Sequence, residues 1–93
     1  MENRTCKTNE DFNAKYEKFL EEGHYGMDIG IPKIIEYLDA IFEDLCENDE
    51  FRYTQIKIKF GYSRIYTSLG KELTSLIENK VNEMLEMIGI KAY

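Results

Sequence analysis

The sequence predicts an α+β fold with two N-terminal helices, a β-hairpin at about residues 53–67 and a long C-terminal helix. Two changes of pattern indicate it. Apolar residues recur at three- and four-residue spacing before residue 46 and after residue 70, as in amphipathic helices. Between these stretches, apolar and polar residues alternate, as in a half-buried strand. The 93 residues suit a single domain, 1–93, in which residues 1–7 are expected to be frayed.

The first helix is predicted to begin after Thr8, because Thr8 and Asp11 have the spacing of an N-terminal capping pattern. Gly23 offers its C-terminal stop, and the glycine-rich segment 23–30 is expected to be a loop. The apolar positions of this helix are Phe12, Tyr16, Phe19 and Leu20.

Pro32 suits the first turn of the second helix, where its missing N–H has no helical partner to lose. Asn48 and Asp49 are expected to end this helix. Its apolar stripe comprises Ile34, Ile35, Leu38, Ile41, Phe42 and Leu45.

Strict alternation over residues 55–60 predicts the first hairpin strand, and Gly61 suits a turn that needs positive φ. A continuous helix over 51–88 is the rival interpretation. Gly61, Gly70 and the β-branched and aromatic residues between them disfavour it.

Ser68 is predicted to cap the last helix, and Gly89 to end it. The apolar face of that helix is expected to comprise Leu73, Leu76, Ile77, Val81, Met84, Leu85 and Ile88. A lone hairpin leaves an open sheet edge, and three amphipathic helices leave surplus apolar surface. A homo-oligomer is therefore expected.

The net charge of −6 argues against direct binding to nucleic acid or to an anionic membrane, since both require a cationic surface. No apolar run approaches the roughly 18 residues of a membrane span, and no signal peptide is evident. Two cysteines, Cys6 and Cys46, are too few for a disulfide framework. We expect a cytoplasmic protein with no cofactor.

Charge is distributed unevenly along the chain. Every charged residue from Phe51 to Lys71 is basic, and every charged residue from Glu36 to Glu50 is acidic. The acidic helix could pair with the basic hairpin, within one chain or between chains. Alternatively, the hairpin could bind an anion or a protein partner.

The second interpretation identifies specific ligand-binding candidates that could project from one face of the hairpin: Gln55, Lys57, Lys59, Arg64 and Tyr66. An arginine binds phosphate through two parallel hydrogen bonds, and a tyrosine ring can stack on a base. This combination predicts recognition of a phosphate or a nucleotide.

Catalytic patterns are absent from the sequence. His24 is the only histidine, no serine lies in a nucleophile elbow, and no phosphate loop or dinucleotide fingerprint occurs. Neither cysteine has a partner at metal-ligand spacing. A non-enzymatic protein with no catalytic residues and no metal site is predicted.

Residues 55–66, Gln-Ile-Lys-Ile-Lys-Phe-Gly-Tyr-Ser-Arg-Ile-Tyr, resemble a motif of small uncharacterised bacterial and phage proteins, and the resemblance extends over residues 30–88. Ile58 replaces the glutamate usual in that motif, and the Cys-x-x-Cys that often follows the last helix is missing, so no zinc role transfers. The resemblance implies a phage or mobile-element setting.

These observations together predict a non-enzymatic accessory protein that binds an anionic ligand such as a nucleotide, for example to sequester a nucleotide signal of host defence. The alternative is an interaction module or inhibitor that occupies a host protein, with the acidic helix imitating nucleic acid.

Overall fold

The computed structural model describes residues 6–89. Its elements are α1 (Asn9–Lys15), a 3-10 turn (Glu17–Phe19), β1 (Gly26–Asp28), α2 (Pro32–Leu45), β2 (Tyr53–Lys59), β3 (Tyr62–Thr67) and α3 (Lys71–Ile88). The sheet order is β1-β2-β3, with β1 parallel and β3 antiparallel to β2. The α+β class and the hairpin are confirmed, whereas β1 was not predicted.

Helix α1 begins as predicted, since the Thr8 side chain accepts a hydrogen bond from the Asp11 amide at 3.0 Å. It ends at Lys15 and not near Gly23. Tyr16 leaves the helical conformation with φ −110° and ψ 25°. The chain then reaches Leu20, which forms an isolated bridge with Tyr53 of the sheet. Contact with the sheet therefore replaces the last predicted turns of the helix.

Strand β1 is held to α1 by the Asn13 side chain. The Asn13 Nδ2 group donates to the Met27 carbonyl at 3.1 Å, and Asn13 Oδ1 accepts from the Met27 amide at 2.8 Å. Gly26 has φ +75°, and a Cβ there would collide with Asn13 Oδ1. Only glycine leaves room at position 26 for the Asn13 side chain that holds β1. This contact explains why a strand forms in a glycine-rich segment that resembles a loop.

Helix α2 begins at Pro32 as predicted and ends at Leu45, ahead of Asn48. Ile34, Ile35, Leu38 and Phe42 are fully buried. The Phe42 ring packs edge-on against Tyr53 and Phe51, with centroid distances of 5.2 and 5.3 Å. Helix α2 therefore covers the sheet face that carries Tyr53.

Helix α3 follows Gly70 and not Ser68, whose hydroxyl instead accepts a hydrogen bond from the Arg52 amide at 3.0 Å. Gly89 ends it in the left-handed conformation, as predicted. Of the predicted apolar face, only Val81 and Leu85 are buried. Leu73, Leu76 and Ile88 are exposed, and Ile77 and Met84 are half-buried. The helix is rotated from its expected orientation.

The rotation brings polar side chains of α3 to the edge of β3. Asn82 Oδ1 accepts from the Ser63 amide, and Glu78 Oε2 accepts from the Ile65 amide, each at 2.7 Å. Together with the Asn13 contacts on β1, these bonds pair outward-facing backbone groups on both edge strands. The expectation of an open sheet edge, one of the two reasons for predicting an oligomer, is therefore wrong at these positions.

Cys6, the first of the described residues, is buried. Cys6 is 4% exposed, and its amide donates to Asp39 Oδ2 at 3.1 Å. Cys6 is thus not part of the frayed terminus predicted for residues 1–7, and residues 1–5 lie outside the described residues. Within residues 6–89, no helix combines the length and apolarity needed to cross a membrane.

Candidate anion-binding face

The hairpin turn consists of two residues, Phe60 and Gly61, with φ of 55° and 79°. Positive φ at both positions is the geometry of type I′ turns, whose twist matches that of antiparallel strands. The turn pairs Lys59 with Tyr62 and thereby fixes the register of the hairpin. Strand β3 therefore begins directly after Gly61.

This register places all five predicted ligand-binding residues on one sheet face. Paired residues share a face, and successive residues alternate between faces. The pairs on this face are Gln55–Tyr66, Lys57–Arg64 and Lys59–Tyr62. We call these six residues the basic sheet face. The opposite face carries Ile56, Ile58, Ser63 and Ile65 and packs toward the core.

Tyr62 is the member of this face that is absent from the residues predicted to bind a ligand, since it directly follows the turn. Counting back in steps of two from Tyr66 and Arg64 would have found it. Asp28 was missed because strand β1, to which it belongs, lies in a segment that was predicted to be a loop. It pairs in register with Lys57 and therefore lies beside the cations on this face.

The basic sheet face is directed toward solvent. Lys59, Tyr62, Arg64 and Tyr66 are exposed. Gln55 and Lys57 lie on the central strand and are half-buried. The face is an open platform, and a ligand could reach it without any movement of the chain.

The acidic residues of α2 pair elsewhere. Lys15 Nζ lies 2.9 Å from Asp39 and 2.8 Å from Glu43, and Lys7 lies 3.7 Å from Glu36. Among residues 6–89, none of the carboxylates forms an ion pair with a cation of the basic sheet face. Pairing of the acidic helix with the hairpin inside one chain is thus not observed in the described part of the protein.

Two interactions restrain individual residues at the ends of the face. Thr54 donates a hydrogen bond to the Tyr66 carbonyl at 3.3 Å. Lys59 Nζ lies 5.7 Å from the centroid of the Phe60 ring, within cation–π range. Lys57 and Arg64 form the central pair between these ends, and their cationic groups are the ones best placed to share an anion.

The cysteines and the histidine are not among the six residues of this face. Burial raises the pKa of the Cys6 thiol to about 11, with the nearby Asp39 charge acting in the same direction. Burial likewise raises the pKa of Cys46 to about 11. Both thiols are free, and both are protonated at neutral pH, the less nucleophilic form. His24 is exposed in the segment before β1.

Comparison with family models, characterised proteins and solved structures found no match to this chain. Within the described range, no group of three or more histidine, cysteine or acidic residues is arranged to hold a metal ion. The basic sheet face is therefore the candidate site on its own geometry, because cations and tyrosines lie together there and its cations form no ion pair within residues 6–89.

Proposed function

We propose that this protein is a non-enzymatic binding protein that holds an anionic ligand, such as a nucleotide, on the basic sheet face. The observation that carries the proposal is the central pair of Lys57 and Arg64 on an exposed face, with no ion pair to a carboxylate among residues 6–89. Solvated cations on neighbouring strands favour a shared phosphate, because arginine supplies a planar fork and lysine a mobile charge.

The chemistry of the face supports binding without turnover. Its six residues are cations, tyrosines and one amide, which are groups that bind a phosphate and stack on a base. In the phage or mobile-element setting implied by the motif of residues 55–66, such a protein would sequester a nucleotide signal of host defence.

Isothermal titration calorimetry with adenosine monophosphate, other nucleotides and inorganic phosphate tests the proposal. Lys57→Ala and Arg64→Ala should each weaken binding, and Arg64→Lys should also weaken it because the fork is lost. Lys33→Ala, which removes an exposed lysine from α2, is the matched control and should leave the affinity unchanged. Absence of heat with every phosphate compound would refute the proposal.

We propose that the oligomer forms through α3 and not through a sheet edge. Leu73, Leu76 and Met87 are 53%, 64% and 87% exposed and form an apolar stripe on one side of α3, which Lys80 and Glu83 interrupt. We propose that two copies pair through this stripe. Light scattering should give a mass above 11.0 kDa for the native chain and a monomer for the Leu73→Glu, Leu76→Glu double variant. A native monomer at high micromolar concentration would contradict the pairing.

A second candidate function is occupation of a host protein by the acidic surface. Asp44, Glu47 and Glu50 are exposed, and within the described chain they form no ion pair. Two results together would favour this candidate over the first. The native chain would bind a protein partner but no nucleotide, and Asp44→Lys and Glu47→Lys would abolish binding of that partner.

A further inference from the structure

Strand β3 presents two tyrosines and an arginine in a row. Tyr62, Arg64 and Tyr66 alternate with core-facing residues and therefore lie on the same exposed face. Tyr62 is 51% exposed and Tyr66 is 50% exposed. Since an antiparallel strand rises about 3.4 Å per residue, the two tyrosine Cα atoms lie about 14 Å apart, with Arg64 midway.

The opposite strand adds a second cation at the midpoint. The amides of Ser63 and Ile65 bond to α3, so these residues belong to the non-hydrogen-bonded pairs of the β2–β3 ladder. The Lys57–Arg64 pair is therefore one of the mutually hydrogen-bonded pairs, with Cα atoms about 5.5 Å apart. Two positive charges lie together, with one aromatic ring on each side.

We propose that the ligand of this face carries two nucleobases joined through phosphate, as in a linear or cyclic dinucleotide. One base stacks on Tyr62 and the other on Tyr66, while the linking phosphate lies on Lys57 and Arg64. This inference rests on the proposed nucleotide binding and specifies the size of the ligand.

Both smaller and larger ligands fit this arrangement less well. A mononucleotide engages the cations and one tyrosine, and the other ring stays in water. A long single strand extends past the two tyrosines, beyond the cations of the face, on a chain whose net charge is −6. A dinucleotide supplies one base for each tyrosine and one linking phosphate for the two cations between them, and it stays within the basic area.

Calorimetry on the full chain tests the inference with adenosine monophosphate, linear diadenylate, cyclic diadenylate and deca-adenylate. One dinucleotide should bind at least about tenfold more tightly than the monophosphate, because the second base contact becomes intramolecular. Tyr62→Ala and Tyr66→Ala should each weaken dinucleotide binding about five- to a hundredfold, the usual range for a lost stacking contact. Tyr62→Phe and Tyr66→Phe keep the ring and should retain most of the affinity.

The outcomes separate this inference from the function on which it rests. If neither mono- nor dinucleotides bind, both proposals fail. If the monophosphate and both dinucleotides bind equally and only one tyrosine matters, nucleotide binding stands and the two-base ligand is refuted. If deca-adenylate binds more than about tenfold more tightly than either dinucleotide, a gain above that of overlapping sites, the ligand is a single-stranded polymer and the inference fails. Circular dichroism confirms that each variant is folded.

Discussion

Asp39 is a buried carboxylate that joins the N-terminal segment to α2. It is 3% exposed and accepts hydrogen bonds from the Cys6 amide at 3.1 Å, from Lys15 Nζ at 2.9 Å and from the Tyr16 hydroxyl. Burial alone would raise the pKa of Asp39, but the hydrogen bonds from Tyr16, Lys15 and the Cys6 amide outweigh it and lower the pKa below its ordinary value. The charged form is therefore a structural component of the fold.

Replacing Asp39 by asparagine should lower the free energy of unfolding by about 1.5–3 kcal/mol at pH 7, since the Cys6 amide and the Tyr16 hydroxyl lose a charged acceptor while Lys15 keeps Glu43. A lowered folded-state pKa contributes stability above the unfolded pKa of about 3.9, and this contribution is lost as the pH falls through the folded value. The difference between native and variant proteins should thus shrink below about pH 4. Urea unfolding at pH 7 and pH 3 measures it. Glu43→Gln, at an exposed partner of Lys15, is the control; an equally large loss there would contradict the buried role of Asp39.

Asp28 tests whether the charges on the basic sheet face act on a ligand. It lies beside Lys57 in register, so its carboxylate repels an anion bound there. Asp28→Asn should increase the affinity for adenosine monophosphate about two- to fivefold, the scale of exposed charge interactions. Calorimetry at low salt measures the change. A lower affinity in this variant would mean that Asp28 contacts the ligand and that the anion lies elsewhere.

At the scale of elements, the hairpin turn holds a residue that is poorly suited to it. Phe60 has φ 55°, a conformation that costs an L-residue other than glycine roughly 1–2 kcal/mol, whereas asparagine adopts it readily. Phe60→Asn should therefore raise the free energy of unfolding by about 1 kcal/mol, since Asn-Gly is a preferred type I′ turn. Thermal unfolding is the measurement. A decrease would show that the Phe60 ring, although 66% exposed, makes stabilising contacts.

The contact between α3 and β3 gives a second prediction at this scale. Glu78 accepts the Ile65 amide through its side chain and the Ser63 hydroxyl through its backbone carbonyl. Glu78→Ala should cost about 1–3 kcal/mol, because the Ile65 amide is left without that partner. Glu86→Ala, at an exposed site on the same helix, should change stability by about 0.5 kcal/mol or less. Similar losses in the free energy of unfolding of both variants would contradict a stabilising role for the Glu78 hydrogen bond.

The same elements show what the sequence could predict. Alternation over residues 55–60 located the hairpin and the shared face of Lys57 and Lys59, because side-chain direction in a strand follows directly from position. Strand β1 has three residues and depends on a side-chain clamp from Asn13, which no periodicity reveals. The orientation of α3 was also missed. Glu78 and Asn82 face the sheet edge because they form hydrogen bonds with it, whereas an amphipathic pattern assigns polar residues to the solvent-facing side of a helix.

At the scale of the whole molecule, charge of opposite sign lies on opposite sides of the sheet. Helix α2 and its carboxylates cover the face that carries Tyr53, and Lys57 and Arg64 project from the other face. The polarity should orient an approaching anion toward the basic side.

This polarity predicts different salt responses for binding and for folding. Raising the ionic strength from about 0.01 M to about 1 M shortens the screening length from about 30 Å to about 3 Å. Affinity for adenosine monophosphate should fall across this range, while the free energy of unfolding changes little, because the core is apolar and the Asp39 interactions are buried. Calorimetry and urea unfolding in the same buffers measure the two. Salt-independent binding would indicate an uncharged mode of recognition.

The hydrogen bonds at the sheet edges also affect the tendency of this protein to aggregate. Residues 53–67 are rich in β-branched and aromatic side chains, the composition from which cross-β fibrils grow. Strand β3 is kept from templating such growth by Glu78 and Asn82, which occupy the amides of Ile65 and Ser63. Helix α3 thus covers two amides of this strand edge. A partner that displaced α3 would open them to pairing with another strand, so such a partner should promote association through β3.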